Sequence, residues 1–296
     1  MSLDRLQSFC LVAEAGGVTK AAKGDAARQS QFSRQIKELE EFFGVELMRR
    51  SGRGVALTEA GRRLHALARE HFAALGDFKA DCAAEPLRLT VAAGDSLLQW
   101  VLLPRLATVQ ERLPGVSLRL LNLPTVEIAS GLADGTLDFG LLRADAVAEN
   151  VRQTALGGLE FALFVPARLL PAGSERTLSA KEVRQVPMAT LEGEGAFRRE
   201  LDRLARRAKA AFNVRLEVAS FPLAARAVRS GAFAAVLPGV AREEFRGLEV
   251  QETSPVWLKP LSRPMALAWN PRLARVRPGL AKAIPVLTEL GRIEAA

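Results

Sequence analysis

Apolar positions in the first 85 residues recur at helical steps. Leu3, Leu6, Phe9, Cys10 and Ala13 fall on one stripe that ends at Gly16-Gly17, so residues 3–15 are predicted to form a helix. Thr19 is predicted to N-cap a short second helix carrying the small pair Ala21 and Ala22. After Gly24-Asp25, a run from about Ala26 to Phe43 places Phe32, Ile36, Leu39 and Phe43 at steps of four, three and four. Arg28, Gln29, Gln31, Arg34, Gln35 and Lys37 fill the opposite face, and Gly44 closes the helix. Strand patterns at Val45–Met48 and Val55–Leu57 flank an arginine- and glycine-rich tip. Thr58 then caps a long helix on which Leu64, Ala68, His71, Leu75, Phe78 and Cys82 follow steps of four and three over about three heptads, the pattern of a dimer seam.

Beyond Pro86 strands and helices alternate. Leu87–Val91, Val116–Leu121 and Phe139–Leu142 read as strands, with helices capped by Asp95-Ser96 and by Thr125 between them. Leu156–Val165 reads as a crossing strand into a second α/β unit. That unit holds a helix near Glu194–Phe212, a strand at Arg215–Ala219, a helix at Pro222–Ser230 and a strand at Ala234–Leu237. Pro264–Trp269 should cross back, and Leu280–Arg292 should close the chain as a helix. The expected class is therefore α+β multidomain. A winged helix-turn-helix spans residues 1–61, a linker and dimerisation helix 58–85, and a two-lobed α/β domain 86–296.

Composition changes this picture little. The chain has 296 residues, 49% of them apolar, with 23 Gly and 15 Pro, enough for sizeable cores without extensive disorder. The net charge of +8 favours an anionic partner, yet residues 1–85 carry 13 Lys/Arg against 12 Asp/Glu. Only local clusters can therefore argue for nucleic acid. Cys10 and Cys82 read as reduced thiols, and His65 and His71 are not spaced as ligands on one helical face, so no metal or cofactor is expected. No apolar run is long enough to span a bilayer, and no long apolar segment follows Met1-Ser2-Leu3-Asp4-Arg5, so the expected location is the cytoplasm.

A short Ala-rich helix, a tight turn and a helix with a Gln/Arg/Ser outer face form the pattern of a helix-turn-helix. Glutamine and arginine reach base edges bidentately, and lysine and arginine neutralise phosphates. A solvated amphipathic helix has the same spacing. The basic tip behind it favours DNA, since glycine lets the backbone approach a phosphate and Arg49, Arg50 and Arg53 supply charge.

The chain resembles the LysR-type transcriptional regulators. Phe9, Val12, Ala13, Thr19, Ala21, Ala22, Gln29, Ser33-Arg34-Gln35-Ile36, Leu39-Glu40, Gly44, Leu47, Arg49, Arg53-Gly54-Val55 and Leu57-Thr58-Glu59-Ala60-Gly61 carry the match over most of residues 3–61. Two positions depart from the family. Arg28-Gln29-Ser30 stands where it usually has Ser-Gln-Pro, and Asp25 where it has an apolar residue. The usual cap of the recognition helix is therefore missing. Either Asp25 caps it about one turn earlier, or the family register holds.

The resemblance implies double-stranded DNA as a partner. Gln29, Ser30, Ser33 and Arg34 would face the major groove, with Arg28 in place of a capping serine and Thr19 and Lys37 also against DNA, while Arg49, Arg50 and Arg53 would hold the flanking backbone. It also implies a homodimer or homotetramer, and an effector domain similar to periplasmic solute-binding proteins. Asp134-Gly135-Thr136-Leu137-Asp138-Phe139-Gly140 and 230–238 resemble the family's turns in the two lobes. A small effector would then sit between the lobes against Asp95, Ser96, Thr125, Arg143, Glu192, Gly193 and Phe221. Arg143 favours a carboxylate, while Asp95 and Glu192 favour a cationic or hydroxyl-rich ligand.

Three competing readings are weaker. Gly94-Asp95-Ser96-Leu97 spells the nucleophile signature of the GDSL esterases, but no histidine follows residue 71 to serve as base, so no enzyme is expected. The run Arg198-Arg199, Arg203, Arg206-Arg207 and Lys209 reads as a solvated helix face. A solute-binding or transport-linked protein is the alternative function, disfavoured by the intact wing.

Overall fold

The computed structural model describes residues 2–51, 54–170, 178, 180–193 and 195–293, with the backbone alone for Arg50, Ala180 and Lys181. Three helices open the chain: α1 (Leu3–Ala15), α2 (Val18–Ala21) and α3 (Ala26–Phe43). Leu6, Phe9, Val12, Ala22, Phe32, Ile36 and Leu39 meet in one core, as their helical steps require. The stripe stops short of Phe43, which is exposed and meets Phe42 edge to face. Thr19 does not cap α2. The Gly16-Gly17 turn starts that helix at Val18, with Gly17 in the cap position, so Thr19 lies inside it and is exposed.

The wing begins later than the sequence pattern indicates. The N–H groups of Leu47 and Met48 both donate to Glu40 Oε1 of α3, at 2.8 and 3.1 Å, and Leu47 is fully buried. Pairing starts only after this clamp, between β1 (Met48–Ser51) and antiparallel β2 (Gly54–Leu57). Arg49 and Arg50 therefore lie within a strand and not at the tip. The hairpin docks on the α1–α2 turn, where a Cβ at Gly54 would meet Gly16 O at 2.8 Å.

Thr58 caps α4 (Glu59–Cys82), accepting from Gly61 N–H at 3.0 Å and donating to Glu46 O at 2.6 Å. A Cβ on Gly61 would lie 2.0 Å from Leu47 O, so only glycine lets α4 approach the wing this closely. The expected heptad seam is split. Ala68 is buried in the chain's own N-terminal core and Leu64 packs against it, because α4 lies across α1 there. His71, Leu75 and Phe78 are exposed, and Leu67 joins them.

The remainder forms two lobes around two five-stranded sheets. In the first, the order is β4 (Val116–Asn122), β3 (Leu87–Ala93), β5 (Phe139–Arg143), β12 (Arg263–Trp269), β6 (Arg152–Leu159). In the second it is β11 (Val250–Thr253), β7 (Phe161–Pro166), β10 (Ala234–Pro238), β8 (Pro187–Leu191), β9 (Asn213–Val218). The chain crosses between lobes at Glu160 and returns into β12, as the crossing patterns indicate. β3, β4 and β5 run parallel, as do β8, β9 and β10, so in each lobe their C-terminal ends share one edge. The first lobe carries α5 (Asp95–Leu97), which continues through a π turn at Leu98–Leu102 into α6 (Leu106–Arg112). It also carries α7 (Thr125–Asp134), α11 (Pro271–Val276) and α12 (Pro278–Leu290). The second carries α8 (Ala180–Val183), α9 (Ala196–Arg207) and α10 (Phe221–Arg229). Among the described residues no helix is long and apolar enough to cross a membrane.

One buried arginine ties α4 to the first lobe. Arg277 grips Asp77 of α4 with two bonds of 2.7 and 2.9 Å, and also bonds Asp138 and the Arg88 carbonyl. Asp138 also accepts from Thr90 N–H at 2.7 Å. Burial pushes its carboxyl above the usual range, although the Arg277 guanidinium opposes that.

Candidate nucleic-acid interface and effector cleft

The start of α3 is fixed by Asp25. Its Oδ1 accepts from Ala27 N–H at 2.9 Å and from Arg28 N–H at 3.2 Å, so the earlier of the two registers is the one formed. Lys23 and Gly24 take positive φ to make the turn before it. Ser30, Ser33, Arg34 and Lys37 then project at steps of three, four and seven, all exposed, opposite Phe32, Ile36 and Leu39. Arg28 and Gln29 flank this stripe; Arg28 is exposed and Gln29 half-buried. Gln35 does not belong to the outer face, because its Oε1 accepts from the Ser8 hydroxyl at 2.6 Å across α1. Among the described residues Arg34 and Lys37 make only long ion pairs, 3.8 Å to Glu38 and Glu41, and both keep about three quarters of their side-chain surface exposed (74% and 77%). They are free to be recruited by phosphates or bases.

Thr19 and Lys20 line a groove of about 350 Å³ with Ser51, Gly54 and Val55, between α2 and the wing. Arg49 is exposed on β1. Arg53 and the Arg50 side chain lie outside the described residues.

The effector residues divide into two facing edges. Ala93 pairs with Asn122 and with Leu141, so Asp95 and Ser96, Thr125, and Arg143 all emerge just past one level of the first sheet. Leu191 pairs with Val218, which brings Glu192, Gly193 and Phe221 to the matching edge of the second. α5 packs against α10, and Trp100 Nε1–H donates to Glu244 across the lobes at 3.1 Å. Asp95 and Ser96 are thus brought against the helix that Phe221 opens.

The expected caps are absent. Gly94 and Pro124 occupy the cap positions, so each helix begins one residue before the expected cap has finished. Asp95 accepts from Gln99 at 3.1 Å, whereas the Ser96 and Thr125 hydroxyls bond no other described residue. Arg143 is half-exposed and lies 3.4 Å from Asp145. Glu192 and Gly193 are exposed on a turn where Gly193 takes φ 72°.

Sequence reasoning named Phe221 as an apolar wall but missed the two aromatic rings packed with it. Phe221, Phe197 and Phe161 stack with centroids 4.9 to 5.8 Å apart at the edge of the second lobe. The available signal was positional: Phe197 and Phe221 both fall in the first turn of a helix that follows a strand. In the basic run, Arg198 is a structural tie, bonded to Asp202, Glu217 and the Leu191 carbonyl at 2.9 Å each. Arg206, Arg207 and Lys209 are exposed, as a solvated face requires.

The comparisons decide the family. The model of the LysR substrate binding domain matches residues 84–281, and that of the bacterial regulatory helix-turn-helix protein, lysR family, matches residues 3–62. The chain belongs to the LysR family. It is a DNA-binding transcriptional regulator with an effector-binding domain. A probable nitrogen assimilation transcriptional activator of Synechococcus elongatus is 27% identical over 257 residues, 83% of this chain and 81% of that one. A probable hydrogen peroxide-inducible genes activator of Mycobacterium xenopi is 32% identical over 56% of this chain and 89% of its own. A full-length OxyR variant from Pseudomonas aeruginosa shares the fold, with a TM-score of 0.67 at 20% identity over 99% of this chain and 95% of that one.

Proposed function

We propose that this LysR-family regulator acts in the cytoplasm as at least a homodimer, and reads its operator with the Asp25-capped helix. Ser30, Ser33, Arg34 and Lys37 face the major groove, with Arg28, Gln29 and Thr19 beside them and Arg49, Arg50 and Arg53 along the flanking backbone. The observation that carries this is the outward stripe of long, loosely held side chains on a helix whose start is locked by Asp25. The domains divide at residues 1–61, 58–85 and 86–296. The exposed stripe of Leu67, His71, Leu75 and Phe78 pairs two chains.

A small non-covalent effector sits between the lobes, against Asp95, Ser96, Thr125, Arg143, Glu192, Gly193 and Phe221. It acts by favouring one lobe arrangement over another. Cys10 and Cys82 are the only cysteines, so the effector domain offers no thiol for peroxide chemistry, whatever the name of the mycobacterial relative. Cys10 itself is held inert, its thiol pushed up to about 12 by burial. Ser96 has no histidine base in its domain, so this is not an esterase.

The test is selection and sequencing of DNA bound by the purified protein, followed by affinity against salt for Arg49→Ala and Arg34→Ala. Arg49→Ala should weaken all sequences and flatten the salt slope, and Arg34→Ala should also change the preferred sequence. An unchanged preference in Arg34→Ala would remove α3 as the reading helix.

A further inference from the structure

A cavity of about 620 Å³ lies between the DNA-binding domain and the first lobe, towards the C-terminal end of α7, the helix that begins at Thr125. α1 and α4 form one wall and α7 and α11 the other. Its volume suits a small molecule. Its carboxylates are already engaged: Glu14 by Arg69 at 2.7 Å, Glu59 by Arg62 at 2.6 Å, and Asp134 by Thr136 N–H at 3.0 Å.

Two of its cationic side chains are loosely held. Arg63 makes no ion pair with another described residue, and Arg272 reaches Glu70 only at 3.8 Å. The two arginines stand at the rim on different domains. The floor is formed in part by the ring of His65, only 7% exposed, whose Nε2 is closed off from solvent and faces Glu14 at 3.7 Å.

We propose that this cavity is a second ligand site, for a small organic anion bearing carboxylate or phosphate groups. One anionic group lies between the guanidinium forks of Arg63 and Arg272, which match two oxygens each. The His65 ring lies beneath it as part of the floor. Because its ligands belong to two domains, a bound anion fixes the DNA-binding domain against the first lobe, and its affinity depends on that arrangement.

The chain's two histidines give a direct readout. The full-length protein, labelled at its histidine rings, is titrated with citrate and separately with inorganic phosphate, and the ring resonances of buried His65 and exposed His71 are followed. Saturable shifts of His65 with an unmoved His71 are expected, from citrate alone for a carboxylate site or from phosphate alone for a phosphate site. The Arg63→Ala/Arg272→Ala variant should weaken binding about tenfold or more. Both side chains are exposed, and an unliganded melting temperature equal to wild type shows that the variant folds. Arg143→Ala, which alters the inter-lobe cleft, should leave the titration unchanged. A His65 that responds to neither probe at millimolar concentration overturns the proposal, as does a double variant that titrates like wild type.

Discussion

The two halves of α4 are held by different physics. The first half is fixed by shape: Gly61, His65 and Ala68 are buried, and Gly61 has no space for a Cβ. In the second half no residue is buried, and Leu75 and Phe78 face outward. Beside the packing of Ala73 on the effector domain's core, its connection to the first lobe runs through charge, by Asp77 to Arg277 and by Glu70 to Arg272. Close packing admits one geometry, whereas ion pairs can be remade in another. The difference fits a lever that carries the reading head rigidly at one end and accepts a change of state at the other.

The largest test strikes the charged end. Arg277→Met leaves Asp138 buried beside no cation and frees Asp77. Breaking a buried pair from one side typically costs about 3–5 kcal/mol. The effector domain should lose about that much in urea unfolding at neutral pH. The loss should shrink as pH falls, because Asp138 then takes up a proton and buries no charge. Adding Asp138→Asn should restore most of the stability. A loss under about 1 kcal/mol, the worth of a surface pair, would show that α4 is held by something else.

Next comes the packed end. Gly61→Ala forces α4 and the wing apart, and overpacking of this kind costs about 1–3 kcal/mol. DNA affinity should fall on every sequence while the effector domain melts as in wild type. If affinity is kept, the wing does not need its contact with α4.

The same contrast governs what the sequence revealed. Phe9, Phe32, Ile36 and Leu39 announced themselves through helical spacing, because each buries against a neighbour close in the chain. Alternation of strands and helices located both lobes and both crossings. The misplaced caps came from turn geometry: Gly17, Gly94 and Pro124 take the cap positions, and a hydroxyl nearby looks equally suitable on paper. The heptad steps on α4 were real, but spacing cannot say that Ala68 faces its own domain while Leu75 faces out. Arg277 meeting Asp77 across 200 residues leaves no local signature. The inter-lobe residues were legible only as strand ends; the aromatic wall they share needed the fold.

Asp25→Ala asks whether the rigidity of the N-terminal region extends to the reading helix. Losing an N-cap costs about 1 kcal/mol, within a range of roughly 0.5–2. The DNA-binding domain should lose that much, and binding should weaken as the first turn carrying Arg28 and Gln29 frays. An Asp25→Ala protein as stable as wild type would mean that α3 starts a turn later in solution.

The smallest effect concerns the polar lock between α1 and the packed half of α4. Glu14 faces His65 at 3.7 Å and bonds Arg69 at 2.7 Å. These two neighbours hold its carboxyl below its ordinary value of 4.5, against the opposing effect of partial burial. A depressed folded value means that the native state favours the ionised form. Glu14 therefore contributes stability above that ordinary value, and the contribution disappears as pH falls through the lower folded one. Glu14→Gln should melt below wild type at neutral pH, and the two curves should converge on acidification. Because Glu14 keeps roughly a third of its surface in solvent, added salt should narrow the neutral gap as well. A gap that persists unchanged into acid would show that Glu14 stabilises α1 through packing alone, which would place the whole first half of α4 under shape control.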